Sequence, residues 1–212
     1  TAILCPPFIL PLKLPVAIFS LEMSKEQLTD RLIAAQSEVE LEALKKRNLR
    51  YDQKKSIEKA SEIMLESTII IDESSTLTIN QLKSKAIRMK QKHNIKMIVV
   101  DYLQLMSGSS KKTGNREQEI SEISRGLKQV AKDLDIPVIA LSQLSRAVES
   151  RPGGSKRPML SDLRESGAIE QDADIICFTH KDDVEQTYSE IVTRAMRSGE
   201  IGRPASDFGS VE

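Results

Sequence analysis

Three short apolar runs of the sequence are each followed by a polar side chain. The runs, with the polar residues after them, are 16–19 before Glu22, 97–100 before Asp101, and 138–141 before Gln143. A carboxylate at the end of a buried strand can hold Mg²⁺, usually through water, beneath the phosphates of a nucleotide. A second carboxylate can orient or deprotonate the attacking water, and an amide can sense a terminal phosphate because it both donates and accepts. Asp101, Glu22 and Gln143 fit these three roles in that order.

A simpler interpretation also accounts for such residues, because strands commonly end in polar side chains where the chain reaches solvent. Asp72 illustrates it, since it follows an apolar run as Asp101 does and has no assigned chemical role. His93 and His180 have no second ligand at metal-site spacing, so neither is assigned a role. Chemistry at the three strand ends therefore depends on whether the fold brings them together.

The elements that would position these residues alternate between strands and helices. Apolar, β-branched runs predict strands at 16–19, 68–71, 97–100, 138–141 and 175–178. Helices are predicted at 24–35, 41–47, 53–65, 79–89 and Arg116–Leu134, the first starting at a capping box of Ser24 and Gln27. Strands that are apolar throughout are typical of a mostly parallel sheet covered on both faces, so the predicted fold class is α/β. Ligands of such sheets bind beyond the carboxyl ends of the strands, where the three polar residues lie.

Composition and charge exclude several classes of protein. Lys plus Arg and Asp plus Glu are both 31, so the net charge of +0 gives no global attraction to nucleic acid or membrane. Positive charge is instead local, in the loops 107–115 and 144–164. With 39% apolar and 3% aromatic residues, the chain is globular with an aliphatic core. Two distant cysteines, Cys5 and Cys177, indicate a reducing compartment, and the proline-interrupted apolar stretch at 2–14 is too short to span a bilayer.

Four stretches of the sequence follow one another in a specific order and spacing. They are VAIFSLEMS at 16–24, IVVDYLQLM at 98–106, IPVIALSQLSR at 136–146 and RPMLSDLRESGAIEQDAD at 157–174. This series resembles successive motifs of the DnaB-type replicative DNA helicases, from about residue 16 to 180. The resemblance implies a single RecA-like P-loop NTPase core over 1–212, with 1–14 and 203–212 out of pattern and the N-terminal helical domain of the family absent.

The same resemblance implies what the protein binds. ATP and Mg²⁺ would be the cofactors, and six copies would form a ring around single-stranded DNA. Primase and a helicase loader are implied as partners, and no membrane. The location implied is the bacterial cytoplasm or the stroma of an organelle such as a plastid.

Carried over motif by motif, the resemblance also implies roles for individual residues. Glu22 resembles the catalytic glutamate, Asp101 the Walker B aspartate, and Gln143 the residue that couples the γ-phosphate to the DNA side. The stretch 195–199 resembles a Lys-x-Arg-x-Gly element without its Lys, so Arg197 is a candidate arginine finger. Arg164, Glu165 and Gly167 resemble the second DNA-binding loop, and Arg116, with Lys111 and Lys112, the first. An Arg beside a Gly and backbone amides suits tracking of a sugar-phosphate backbone without sequence readout.

One element of the family pattern is missing from the sequence. A P-loop needs G-x-x-x-x-G-K-[ST] to cradle the phosphates, and the 212 residues contain no such stretch. Thr1 is predicted to be the last residue of that motif, with its glycines and lysine upstream, and the chain as it stands is expected to hydrolyse little or no ATP. Two alternatives remain open: a non-catalytic remnant that binds DNA or subunits, and a RecA-family recombination or repair ATPase, against which the stretch 164–167 argues. A plain structural α/β domain is a third alternative.

Overall fold

Four of the five predicted strands form one parallel sheet. The computed structural model describes residues 14–108, 116–145, 148, 157–163, 167–180 and 190–195. Its sheet has the order β2-β1-β3-β4, and every neighbouring pair is parallel. The strands are β1 Val16–Ser20, β2 Ile69–Asp72, β3 Met97–Asp101 and β4 Val138–Ala140. The prediction of an α/β fold built on a mostly parallel sheet is confirmed.

The five predicted helices are all present, and the longest has the bounds read from its periodicity. The helices are α1 Lys25–Ser37, α2 Leu41–Lys46, α3 Tyr51–Leu65, α4 Ile79–His93, α5 Arg116–Leu134 and α6 Gly167–Asp172. The short α6 was not predicted, and neither were the 3₁₀ turns Leu103–Leu105 and Leu160–Asp162. Ser24 and Gln27 form the predicted capping box at the start of α1. Within the described ranges, no helix combines the length and the apolar character needed to cross a bilayer.

The two faces of the sheet are covered by different helices. Ala17 and Phe19 of β1 belong to an apolar cluster that includes residues of α4 and α5. Val16 and Ile18, which point to the opposite face, pack in a second cluster with Leu28 and Leu32 of α1. Apart from two phenylalanines, the buried apolar side chains in the described part are aliphatic, as the composition predicts. This three-layer arrangement fixes the carboxyl ends of β1, β3 and β4 at one edge.

The fifth predicted strand lies outside the parallel sheet. It is β5, Ile175–His180, and it pairs in antiparallel fashion with β6, Glu190–Ala195, which the sequence analysis did not predict. Ile176 and Phe178 are buried, whereas Ile175 is 61% exposed. Such alternation is typical of a strand with one buried face, so β5 differs physically from the strands of the central sheet.

Helices α4 and α5 approach closely at Gly126, and a side chain there is expected to destabilise the fold. A Cβ built on Gly126 would lie 2.2 Å from Ile79 Cγ1 and 2.9 Å from Cδ1, so one of the two helices would have to shift. The overlap costs about 2–3 kcal/mol, and the better helix propensity of alanine returns about 1 kcal/mol. Gly126→Ala is therefore expected to lower the free energy of unfolding, measured by urea denaturation, by about 1–2 kcal/mol.

Gly167→Ala is the matched control for this prediction, because a Cβ at position 167 meets nothing within 4 Å. Its unfolding free energy should stay within about 0.5 kcal/mol of the unsubstituted chain. Adding Ile79→Ala to Gly126→Ala should make the two losses less than additive, because it removes the overlapping atoms. Unchanged stability of Gly126→Ala would show that the helices separate at no cost.

Candidate active site

The register of the sheet brings the three predicted strand ends to one edge. Ser20, the last residue of β1, pairs with Asp101, and the Leu21 N–H donates to the Asp101 carbonyl at 2.9 Å. Val100 pairs with Ala140 in β4, and the Leu141 N–H donates to the Val100 carbonyl at 2.9 Å. Glu22, Asp101 and Gln143 therefore follow or end three strands that lie side by side.

Asp101 is a buried carboxylate, and one of its oxygens finds no hydrogen-bond donor among the described residues. Its residue is only 4% exposed, and in the described part of the chain its Oδ2 atom has no hydrogen-bond partner. Burial raises the pKa of Asp101 above its ordinary value; the negative charge of Glu22 adds to this rise, and the positive charge of Arg31 opposes it. A buried carboxylate oxygen with no donor is in the environment that a cation or its bound water would satisfy.

The donor set at this edge fits Mg²⁺ brought by a nucleotide. Mg²⁺ usually keeps several waters and is held by one or two carboxylates together with substrate phosphates. The residues that the structure describes contain no group of three or more His, Cys, Asp or Glu side chains able to hold a metal by themselves. Asp101, with its unpartnered oxygen, therefore fits as a single protein ligand, direct or through water.

Glu22 borders a small charged cleft. The cleft has a volume of about 220 Å³ and is lined by Glu22, Met23, Gln27, Arg31 and Lys45. Its two cations are Arg31 of α1 and Lys45 of α2, and their positive charge suits an anion such as a phosphate group. Neither cation was predicted from the sequence. For Arg31 a signal exists: its four-residue spacing from Gln27, offset from the buried Leu28 and Leu32, places both on the face of α1 away from the core. Lys45 has no comparable signal.

Asp72 occupies the same kind of position as Asp101 but is satisfied by its neighbours. It accepts from Lys85 Nζ at 2.6 Å, from Ser74 Oγ at 2.6 Å and from the Ser74 N–H at 3.2 Å. Burial alone would raise the pKa of Asp72, but the hydrogen bonds from Lys85 and Ser74 outweigh it and hold the pKa below the ordinary value. Asp72 therefore closes a turn and ties β2 to α4, which is a structural role.

Gln143 is exposed, and its backbone is held by a residue that the sequence analysis did not single out. The Gln143 N–H donates to Gln104 Oε1 at 3.2 Å. The Gln104 amide nitrogen donates to Ser142 Oγ at 2.9 Å and to the Gln143 carbonyl at 3.4 Å. Gln104 lies in the motif at 98–106, but its partners are 38 and 39 residues away, so only the fold reveals them.

The predicted DNA-binding residues that the structure describes have different surroundings. Arg116, partly buried, donates to the Glu119 carboxylate and, at 2.6 Å, to the Gln104 carbonyl. Gly167 is exposed at the start of α6 with open space above it. The roles of both in DNA binding stay predictions.

The segment after Gln143 is joined to the segment that precedes the second predicted DNA loop. Leu144 forms an isolated antiparallel bridge with Leu163. The Ser145 N–H donates to the Asp162 carbonyl at 2.9 Å. The strand end that carries Gln143 is therefore fixed to residues adjacent in sequence to position 164.

Six of the residues singled out from the sequence lie outside the described residues. They are Thr1, Lys111, Lys112, Arg164, Glu165 and Arg197. Their assigned roles stay predictions from the sequence and its resemblance.

Comparison with known proteins places the chain in a family. Residues 8–210 match the family described as DnaB-like helicase C terminal domain. The chain is 44% identical over 199 residues to the replicative DNA helicase DnaC of Bacillus subtilis, covering 91% of this chain and 43% of that protein. It is 50% identical over 177 residues to the replicative DNA helicase DnaB of Rickettsia prowazekii, covering 84% of this chain and 36% of that protein.

Solved structures agree with the sequence comparison. One of them, described as an ATPase domain, superposes with a TM-score of 0.83 at 36% identity, covering 93% of this chain and 72% of that chain. A DnaB-like replicative helicase, described with its interactions with primase, superposes with a TM-score of 0.77 at 36% identity. The match covers 86% of this chain and 48% of that chain. The chain thus spans about two fifths of the length of the curated relatives named here. Its fold is that of a RecA-like ATPase domain, and the chain belongs to the DnaB-like helicase C-terminal domain family.

Proposed function

We propose that the chain is the motor domain of a replicative DNA helicase, which couples ATP hydrolysis to movement along single-stranded DNA and to duplex unwinding during replication. One observation carries the proposal: Ser20 pairs with Asp101, which sets the buried Asp101 carboxylate beside the strand end that leads to Glu22. The Oδ2 atom of that carboxylate has no hydrogen-bond partner among the described residues. Two carboxylates in different environments at one sheet edge suit a metal ligand and a base. The relatives named above, which are replicative helicases, support the same function.

The residues at the edge divide the work of hydrolysis. Asp101 would hold Mg²⁺, which when bound neutralises charge on the phosphate oxygens. Glu22, exposed at the cleft, accepts the proton of the water that attacks the γ-phosphate, and ADP and inorganic phosphate leave. Gln143 senses whether the γ-phosphate is present. Thr1 is proposed as the last residue of the phosphate-binding loop.

Local positive charge would allow a chain of zero net charge to bind DNA, which is a polyanion. Arg116, Arg164, Glu165 and Gly167 are proposed to contact the sugar-phosphate backbone, and six copies in a ring would sum their local positive charge in one channel. Arg197 is proposed to reach the nucleotide of the neighbouring copy. Primase and a helicase loader are proposed partners, and the bacterial cytoplasm or an organelle stroma is the proposed location.

ATP hydrolysis with and without single-stranded DNA tests the proposal. It should be measured on the 212-residue chain and on the longest native chain that contains these residues. We expect the longer chain to hydrolyse ATP, faster with DNA than without, and to unwind a forked duplex. We expect little or no hydrolysis by the 212 residues, which contain no G-x-x-x-x-G-K-[ST] stretch. A longer chain that binds DNA but neither binds nor hydrolyses ATP would replace the proposal with the non-catalytic alternative.

A further inference from the structure

Gln104 connects two parts of the candidate site that are distant in sequence. It lies in the 3₁₀ turn Leu103–Leu105, three residues after Asp101. Its side chain reaches the end of β4 and makes the three hydrogen bonds to Ser142 and Gln143 described above. The Gln104 amide therefore uses its oxygen and its nitrogen on one backbone segment, so it holds that segment in both position and orientation.

The backbone of the same residue is held from the other side. Its carbonyl accepts from Arg116 at the first residue of α5, at 2.6 Å. Arg116 also donates to Glu119, and Glu119 accepts from the Gly108 N–H at 2.6 Å. The Gly108 hydrogen bond, followed by the bonds from Arg116, holds the pKa of Glu119 below its ordinary value, which keeps the carboxylate charged and bonded.

These bonds form one continuous polar network. It runs from the Gln143 backbone through Gln104 and Arg116 to Glu119 and Gly108. In a network of this kind, a shift of one end changes the bond geometry at the other, because each member is hydrogen-bonded to the next. The strand end that carries the proposed phosphate sensor is thus joined to the start of α5, where the proposed DNA ligand Arg116 lies.

We infer that Gln104 is a positioning residue that transmits the nucleotide state sensed at Gln143 to the DNA-binding side of the domain. This inference rests on the proposed function and adds to it the residue that carries the coupling. A residue that only stabilises the turn would make the same bonds. A structural role and a transmitting role are therefore separated by measuring how strongly DNA stimulates ATP hydrolysis.

The variants Gln104→Leu and Gln104→Glu distinguish the transmitting role from the structural one. Leucine removes all three side-chain bonds at nearly constant size. Glutamate keeps acceptors for the Gln143 N–H and the Ser142 hydroxyl but loses the donor to the Gln143 carbonyl. Gln91→Leu, on the exposed face of α4, is the matched control.

The first readout is the ratio of ATP hydrolysis rates with and without saturating single-stranded DNA, on the longest native chain. We expect Gln104→Leu to lower this ratio about tenfold, Gln104→Glu to lower it about threefold, and Gln91→Leu to leave it unchanged. The DNA concentration at half-maximal stimulation should stay within about twofold, because Gln104 is not a DNA ligand. An unchanged ratio in a folded Gln104→Leu protein would overturn the inference and leave the proposed function standing.

The second readout is amide hydrogen exchange, which needs no enzymatic activity. If the network transmits, Gln104→Leu speeds exchange at Gly108, on the far side of Arg116, as well as at Gln143. Faster exchange at Gln143 alone would indicate a local structural role and overturn the inference. If Gln104→Leu does not fold, Gln104→Glu carries both readouts. A wild-type chain without ATP hydrolysis would overturn the proposed function and the inference with it.

Discussion

Glu22→Gln is expected to lower the rate of ATP hydrolysis about a hundredfold to ten-thousandfold, which is the range of general-base contributions. Glutamine keeps the size of the side chain but cannot accept the proton of the attacking water. Because Glu22 is exposed at the rim of the cleft, the fold should not change. The measurement is the maximal hydrolysis rate of the longest native chain at saturating ATP, with and without single-stranded DNA, alongside equilibrium binding of a fluorescent nucleotide.

Glu26→Gln is the matched control, since Glu26 is an exposed carboxylate in the first turn of α1, four residues from Glu22. It should keep the hydrolysis rate within about twofold. Nucleotide binding should persist in both variants, since neither change removes a phosphate ligand. If Glu22→Gln kept more than a tenth of the rate, another group would have to be the base, and the cleft would have a different purpose.

The sequence was a good guide to the elements because their signals are local. The apolar runs predicted β1 to β4, and the three- and four-residue spacing of apolar side chains predicted α5 from Arg116 to Leu134. The strand β6 was missed, although Ile191, Val192 and Thr193 are β-branched, because charged or small residues flank this short run.

The parts of the site that could not be predicted depend on contacts between distant residues. Strand order and register are set by packing of the whole sheet, so the direct pairing of Ser20 with Asp101 has no signature in either segment alone. The same holds for Gln104, whose partners are 38 and 39 residues away. The contrast between Asp72 and Asp101 is the sharpest case, since both follow apolar runs and differ only in what surrounds them.

That contrast leads to opposite effects of one substitution. Asp101→Asn is expected to lower ATP hydrolysis about a hundredfold or more, because the proposed Mg²⁺ ligand would lose its charge. The same change should raise the free energy of unfolding at neutral pH by about 1 kcal/mol, because it removes a buried charge whose Oδ2 atom has no hydrogen-bond partner among the described residues. Asp72→Asn should leave hydrolysis within about twofold and lower the free energy of unfolding by about 1–2 kcal/mol, because it weakens the bonds to Lys85 and Ser74.

The pH dependence of the two variants follows from the directions of the pKa shifts. The folded-state pKa of Asp101 is raised above 3.8, mainly by burial, so its contribution to stability is fully present at low pH and is lost as pH rises through the folded value. The folded-state pKa of Asp72 is lowered, burial being outweighed by the bonds from Lys85 and Ser74, so its contribution is present above 3.8 and lost as pH falls. Urea denaturation of both variants and the unsubstituted chain should therefore show differences of opposite sign at neutral pH that shrink toward acid pH. A loss of stability in Asp101→Asn at neutral pH would mean that the carboxylate has a hydrogen-bond donor, and Asp101 would then not be suited to hold a cation.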